Sequence, residues 1–282
     1  MTYLVIGATG NVGGELVTQL LEQGQQVRAL VRDPSRAERL PAGTGIAVGD
    51  LDDAESLTAA TRGVDGVFYM QLAPLPTQAG YMVQAAKAAG VSKIVLLSSL
   101  GTVLHPLPVI GARIAARDEV FRRSGLDVTY LRANGLMSNA LWWVPSIKDE
   151  GRVPDATDPG RLGVIDPYDV ARIGALALTQ DGHAGHGYIL NGPQALTARE
   201  QVETLAEVLG LPIEFVPMTP GEFARHSVEH GTPAEMAGAV QDLNELFRAS
   251  RAGVLSDDIT NLTNAAPRTF REWAEHHAGA FT

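Results

Sequence analysis

Apolar residues fall in short unbroken runs through the first half of the chain, and between those runs they recur at helical spacing. The runs predict strands over 2–6, 26–31, 45–48, 65–70, 93–98 and 127–132, and the spacing predicts helices near 12–23, 35–40, 53–61, 78–89 and 111–124. Ile94-Val-Leu-Leu97 shows no polar alternation, which is the pattern of a parallel strand covered on both faces. Strands alternating with helices through short joins predict an α/β fold built on a doubly wound parallel sheet.

The rhythm breaks after Arg132. Residues 133–160 carry Trp142, Trp143 and several Pro and Gly, and read as an irregular loop with a helical piece. A strand is expected at 162–166, then a helix from Pro167 with Tyr168, Val170, Ile173, Leu176 and Leu178 as its apolar positions, then a strand at 187–191. Thr197-Ala-Arg-Glu200 is a capping box, in which hydroxyl and carboxylate each satisfy an orphan backbone donor, and it opens a helix to Leu209. From about residue 213 the pattern is a short strand followed by helices. Residues 1–132 are therefore expected to form the main sheet. Residues 133–282 would supply its remaining elements, about 161–192, together with a small C-terminal lobe over the sheet's carboxyl edge, where ligands bind in such folds.

The 282 residues suffice for one large domain or for a domain with a smaller lobe. A net charge of −10 with no basic run argues against nucleic acid or an anionic membrane as partner. There is no cysteine, which excludes disulfides, thiolate metal sites and cysteine nucleophiles. The first apolar run lacks a basic segment before it and is too short for a signal peptide, and no run reaches the roughly 18 residues of a membrane helix. A cytoplasmic location is the default expectation.

Candidate chemistry begins at the first strand. Tyr3-Leu-Val-Ile runs into Gly7-Ala-Thr-Gly10-Asn-Val-Gly13-Gly14 and then into an amphipathic helix whose apolar stripe is Leu16, Val17, Leu20 and Leu21. Glycines three apart between strand and helix suit a phosphate cradle: Gly7 for the sharp turn, Gly10 for close approach to a pyrophosphate, Gly13 for helix–strand packing. The helix N-terminus adds unpaired N–H groups and the positive end of a dipole. Residues 1–132 thus read as a dinucleotide-binding Rossmann core, and 133–282 as its remaining elements plus a substrate-binding lobe.

Further motifs follow in order: Leu30-Val-Arg32-Asp-Pro34, Gly49-Asp50-Leu51, Leu97-Ser98-Ser99, Ser124-Gly-Leu-Asp-Val-Thr-Tyr-Leu-Arg132 and Asn134-Gly-Leu-Met137-Ser-Asn139. With the glycine segment, and with Gly192-Pro-Gln-Ala-Leu-Thr197 further on, they resemble the atypical short-chain dehydrogenase/reductases of the NmrA-like group. That group includes NADPH-dependent quinone reductases and redox-sensing regulators. The resemblance covers most of the first 140 residues.

Arg32 follows the second strand, where an NAD-specific site usually places a carboxylate on the ribose 2′-hydroxyl; a guanidinium there can clamp a 2′-phosphate instead. The resemblance implies the same role, so NADP(H) is favoured over NAD(H). Asp33 could reach a ribose hydroxyl, or pair with Arg32 at the surface. By resemblance Asp50 contacts the adenine amino group, with a helix cap near Asp52 and Asp53 as its competing role. Gln71 sits where the fourth strand would meet the nicotinamide-side ribose; an exposed loop amide is the alternative. Thr9, Asn11, Val12, Leu51 and Ser98 complete the candidate cofactor contacts.

Catalysis is where the chain departs from the wider superfamily, whose typical members use a Tyr as proton donor and a Lys four residues later. No Tyr-x-x-x-Lys occurs, and none of the lysines, Lys87, Lys93 and Lys148, falls within 111–124. Ala116 stands near where some relatives carry a lysine, with Arg113 and Arg117 beside it; arginine could orient a substrate but not shuttle a proton. A positioned general acid contributes typically about 10²–10⁴-fold, so its loss points either to a binding protein or to a substrate that needs no strong acid. A quinone is such a substrate, because hydride uptake gives a delocalised anion.

Ser98, Ser99, His105 and Asn134 are the polar candidates near the nicotinamide, with Ser99, His105 and Asn134 as the catalytic set. Strand-end hydrogen bonding is the alternative for the serines, and a surface loop for His105. Met137, Asn139, Trp142 and Trp143 could line an apolar pocket for an aromatic substrate, or the tryptophans could pack against the lobe. No metal site is expected, since His226 and His230 lack a third ligand, and Ser98-Ser-Leu-Gly lacks the Gly-x-Ser-x-Gly elbow of serine hydrolases. The leading expectation is an NADPH-dependent oxidoreductase passing hydride to a quinone or conjugated aromatic ketone. The alternative is a non-catalytic NAD(P)(H)-sensing regulator acting through a protein partner; a nucleotide-sugar epimerase is weaker, because it needs the missing pair. Oligomeric state is not legible.

Overall fold

The computed structural model describes residues 1–71 and 75–282. Its elements run β1 (Thr2–Ile6), α1 (Asn11–Glu22), β2 (Gln26–Val31), β3 (Gly45–Val48), α2 (Ala54–Thr61), β4 (Gly66–Tyr69), α3 (Pro76–Ala88), β5 (Lys93–Ser99), α4 (Val109–Arg122) and β6 (Asp127–Ala133). They continue as α5 (Val144–Glu150), β7 (Arg152–Asp155), α6 (Pro167–Thr179), β8 (Gly187–Leu190), α7 (Ala198–Leu209) and β9 (Glu214–Pro217). The chain closes with α8 (Pro220–Glu229), α9 (Ala237–Arg248), α10 (Asp258–Thr263) and α11 (Phe270–His277). The helix expected near 35–40 is a 3-10 helix, Pro34–Arg39.

Seven strands form one sheet in the order β3-β2-β1-β4-β5-β6-β8. β1 pairs in parallel with β2 on one side and β4 on the other, so the direction of winding reverses there. The crevice beyond the carboxyl ends of β1 and β4 is the switch point at which such sheets bind ligands. Side chains alternate along β1, and Leu4 and Ile6 share a core layer with Leu57 of α2, Met82 of α3 and Phe121 of α4. On the opposite face, a Cβ on Gly174 of α6 would lie 3.4 Å from Phe68 and 3.6 Å from Leu131 and Leu16. These are ordinary van der Waals separations, so α6 packs closely on the sheet and on α1 at this point.

The chain divides into two compact units. The first is Met1–Thr102, Arg113–Arg132 and Pro167–Tyr188; the second is Val103–Ala112, Ala133–Asp166 and Ile189–Thr282. Residues 103–112 therefore belong with the second unit, although the sequence groups them with the core.

Within the second unit β7 and β9 pair in parallel. The strand expected at 162–166 does not form. Leu162 makes a single bridge to Leu196 and Ile165 one to Leu136, and partners drawn from two unrelated segments cannot extend into a ladder. The capping box at Thr197–Glu200 is present on α7, and Thr219–Glu222 and Thr269–Glu272 repeat it on α8 and α11. Trp273 is fully buried and stacks on Phe270 and His277 at ring separations of 5.4 and 4.6 Å. No described helix is long and apolar enough to cross a membrane.

Candidate active site

The glycine segment forms a cradle for physical reasons that each position shows separately. Gly7 turns at φ +80°, and a Cβ there would also meet Met70 Sδ at 2.9 Å. A Cβ on Gly13 would sit 2.1 Å from the Gly7 carbonyl oxygen, which no other residue tolerates. Gly10, whose N–H donates to the Gly7 carbonyl at 3.0 Å, is the N-cap of α1. No side chain caps this helix, and its first turn carries no acidic residue. The helices α7, α8 and α11, by contrast, each begin with a Thr–Glu box. α1 thus leaves its first N–H groups and dipole end for an anion, and the residues present fit a dinucleotide pyrophosphate. Thr9 and Asn11 are exposed beside this opening, while Val12 is buried.

Around it lie the carboxyl ends of β2, β3 and β4. Arg32 is exposed and makes no hydrogen bond or ion pair among the described residues. The surface pair with Asp33 does not form. Asp33 instead caps the 3-10 helix by accepting the Ser35 N–H at 3.0 Å, and hydrogen bonds from Ser35 hold its carboxyl below the usual range. Asp50 accepts the Asp52 N–H at 3.0 Å, whereas the cap of α2 is Asp53, which accepts from Glu55 and Ser56. Leu51 packs against the core layer. Gln71 is no free loop amide. It accepts from the Tyr69 hydroxyl at 3.1 Å and donates to Gln78 Oε1, and Gln78 Nε2 donates to Asp52 Oδ1 at 2.7 Å.

The end of β5 is fixed by a buried ionic cluster. Ser98 Oγ donates to Asp118 Oδ2. Arg117, 2% exposed, donates to Asp118 Oδ1 at 2.6 Å and to the Leu97 carbonyl at 2.9 Å. Arg117 is therefore bound internally rather than presented to a substrate. Ser99 differs from its neighbour: its Oγ accepts the Gly101 N–H at 3.0 Å, which leaves its own proton uncommitted among the described residues.

The remaining candidates belong to the second unit. His105 is exposed, with Nδ1 3.2 Å from the Val103 carbonyl. Asn134 is buried and its amide is used at both ends: Nδ2 donates to the Ala252 carbonyl at 2.8 Å, and Oδ1 accepts the Gly135 N–H at 2.8 Å. Met137, Asn139, Trp142 and Trp143 share one 3-10 helix, Met137–Trp143. Met137 is buried, Asn139 is exposed, Trp142 is 78% exposed and Trp143 is half-buried, so the four face different surroundings. Sequence reasoning missed the segment that organises this side of the unit. Arg251 Nη2 donates to the Pro106 carbonyl at 2.8 Å, and the Ala252 carbonyl accepts from both Asn134 and the Gly163 N–H. A Cβ on Gly163 would lie 3.0 Å from Leu255 and 3.1 Å from Asn134 Nδ2, and that glycine was the available signal of a close approach.

A family profile described as NAD(P)H-binding matches residues 7–181. The chain is 35% identical over 280 residues to a (4-alkanoyl-5-oxo-2,5-dihydrofuran-3-yl)methyl phosphate reductase of Streptomyces griseus, covering 99% of this chain and 98% of that protein. It is 32% identical over 281 residues to an NAD(P)H azoreductase of Xenophilus azovorans, covering 99% and 98%. The structure of an NADPH-dependent quinone oxidoreductase from Escherichia coli, complexed with NADPH, superposes with a TM-score of 0.84 at 26% identity, covering 97% of this chain and 99% of that one. The chain belongs to the NAD(P)H-binding family, within the NmrA-like short-chain dehydrogenase/reductase fold, and is an NAD(P)H-dependent reductase.

Proposed function

We propose that this reductase uses NADPH in preference to NADH and passes a hydride to a quinone or conjugated aromatic ketone without a Tyr–Lys pair. The observation that carries the proposal is the combination of a glycine cradle at an uncapped helix end with Arg32, a guanidinium that has no partner among the described residues. Gly10 and the first N–H groups of α1 would hold the pyrophosphate, and the planar fork of Arg32 the 2′-phosphate. Asp50 and Leu51 would face the adenine, and Gln71 the nicotinamide-side ribose. Ser98, its hydroxyl spent on Asp118, would contribute through its backbone alone.

The nicotinamide of the cofactor, when bound, would supply the hydride. Ser99 keeps a proton to donate to a carbonyl oxygen as negative charge develops there. His105, open to solvent, could pass a proton to the product oxygen afterwards. Asn134 holds its segment in place through Ala252. A quinone takes hydride into a delocalised anion that water can protonate, so a strong internal acid is unnecessary. The relatives' names support this class: a quinone, an azo group and an alkanoyl-oxo-dihydrofuran are all conjugated electrophiles. The test is NADPH consumption by the purified protein over a panel of simple quinones and polycyclic aromatic ketones, with NADH alongside. Turnover with NADPH on such acceptors is expected. Tight NADPH binding with no turnover on any of them would favour a sensor instead.

A further inference from the structure

We infer that Arg251 forms an anion-binding subsite of the second unit and selects acceptors that carry an anionic substituent, an inference that rests on the reductase function proposed above. Arg152, Arg161, Arg199, Arg268 and Arg271 of this unit each face a carboxylate. Arg225, Arg248 and Arg251 have no such ion pair among the described residues, and Arg248 donates to the Ala156 and Asp158 carbonyls. Arg251 is half-buried, and its side chain makes one hydrogen bond among the described residues, the 2.8 Å bond to the Pro106 carbonyl. That bond tethers the guanidinium to the 103–112 segment while using one of its five donors.

The neighbouring chain is largely apolar and open, with one carboxylate close by: Asp242 Oδ2 accepts the Val109 N–H at 2.9 Å. Leu107, next to Pro106, is 45% exposed, and Val254 and Leu255, just beyond Arg251, are 42% and 48% exposed. Gly163 allows the 252–255 segment to lie close against it, and Ala252 ties that segment to Asn134. One short stretch therefore presents a tethered cation, without an ion pair among the described residues, next to exposed apolar residues. The same stretch is bonded to Asn134 and to the loop that carries His105. A flat apolar acceptor bearing a sulfonate, carboxylate or phosphate meets both features, because a fork of N–H donors matches those oxyanions and the aliphatic side chains match the ring. A neutral acceptor would engage the aliphatic side chains alone.

Initial rates with NADPH should be measured on a naphthoquinone and on the same naphthoquinone bearing a sulfonate, for the parent, Arg251→Gln and Arg251→Lys. Comparing the ratio of kcat/KM for the sulfonated over the neutral acceptor between parent and variant cancels the intrinsic difference in their reactivity. In Arg251→Gln that ratio is expected to fall by about tenfold or more, the effect of losing one charge-assisted hydrogen bond, with part of it restored in Arg251→Lys. Equal losses on both acceptors would mean that Arg251 only braces the loop, and an unchanged ratio would mean that it meets no anion; either overturns the inference. Calorimetric titration of anthraquinone sulfonate gives a readout independent of turnover. Binding by the parent that weakens in Arg251→Gln supports the subsite even if no quinone is reduced, in which case the reductase proposal alone fails. No binding of anthraquinone sulfonate to the parent overturns the subsite.

Discussion

Arg32 and Asp33 are adjacent opposite charges that do not pair, and the reason is local. Asp33 is committed to a backbone cap, which leaves the guanidinium with donors and no acceptor. Arg32→Ala is expected to raise the Kd for NADPH by about tenfold or more while changing that for NADH by about twofold at most, since only the former carries the 2′-phosphate. Equal losses in fluorescence titrations would remove Arg32 from that role. At Ser99 the distinguishing feature is an unspent proton. Ser99→Ala is expected to lower kcat by about tenfold or more with little change in KM, as for a donor that acts on developing charge. A change confined to KM would assign it to ground-state binding. Gly13→Ala would place a methyl 2.1 Å from the Gly7 oxygen. Overpacking of that kind costs about 1–3 kcal/mol or more, and a lowered urea midpoint would report it.

At the scale of elements, the join between β5 and α4 is ionic where its surroundings are apolar. Asp118 holds both Arg117 and the Ser98 hydroxyl, and Arg117 holds the Leu97 carbonyl. Removing one partner of a buried pair leaves the other uncompensated, so Asp118→Ala is expected to cost about 3–5 kcal/mol in denaturant titrations. A loss no larger than that of an exposed pair would contradict the burial. At the end of β7, burial pushes the Asp155 carboxyl above its ordinary range, against the opposing hydrogen bonds from Thr157. The folded state therefore binds this proton more tightly than the unfolded chain. Its contribution is complete below the unfolded pKa and is lost as pH rises through the folded one. Asp155→Asn keeps an acceptor for Thr157 without the charge, so its stability relative to the parent should rise from acid towards neutral pH. A pH-independent difference in urea midpoint would contradict the shift.

The elements that could be read from the sequence are those whose partners are generic. The buried strands β1, β2 and β5 and the glycine turn follow from apolar runs and sterics that local sequence contains. The segment at 162–166 has the same apolar look, yet its backbone partners come from two separate places, and no local pattern distinguishes a ladder from two bridges. Arg251 was illegible for a related reason: its partner Pro106 lies 145 residues away, and a lone arginine carries no motif. Ser98 and Ser99 look alike in sequence and differ only in what α4 brings to one of them.

For the molecule as a whole, the bare start of α1 has a consequence beyond catalysis. Three other helices carry their own Thr–Glu termini, whereas this one, beside the central strand β1, has no side-chain cap and would be completed by the dinucleotide proposed above. The dinucleotide is then a folding partner as well as a reagent. At a free concentration a hundred times its Kd it would add about 2.7 kcal/mol to global stability, provided that it binds only the folded state. Resistance to proteolysis should accordingly climb with NADPH in the absence of any acceptor. The lifetime of this chain would then follow the supply of the dinucleotide in either redox state, since both forms carry the pyrophosphate, with enzyme persisting where the cofactor is plentiful and being cleared where it runs out.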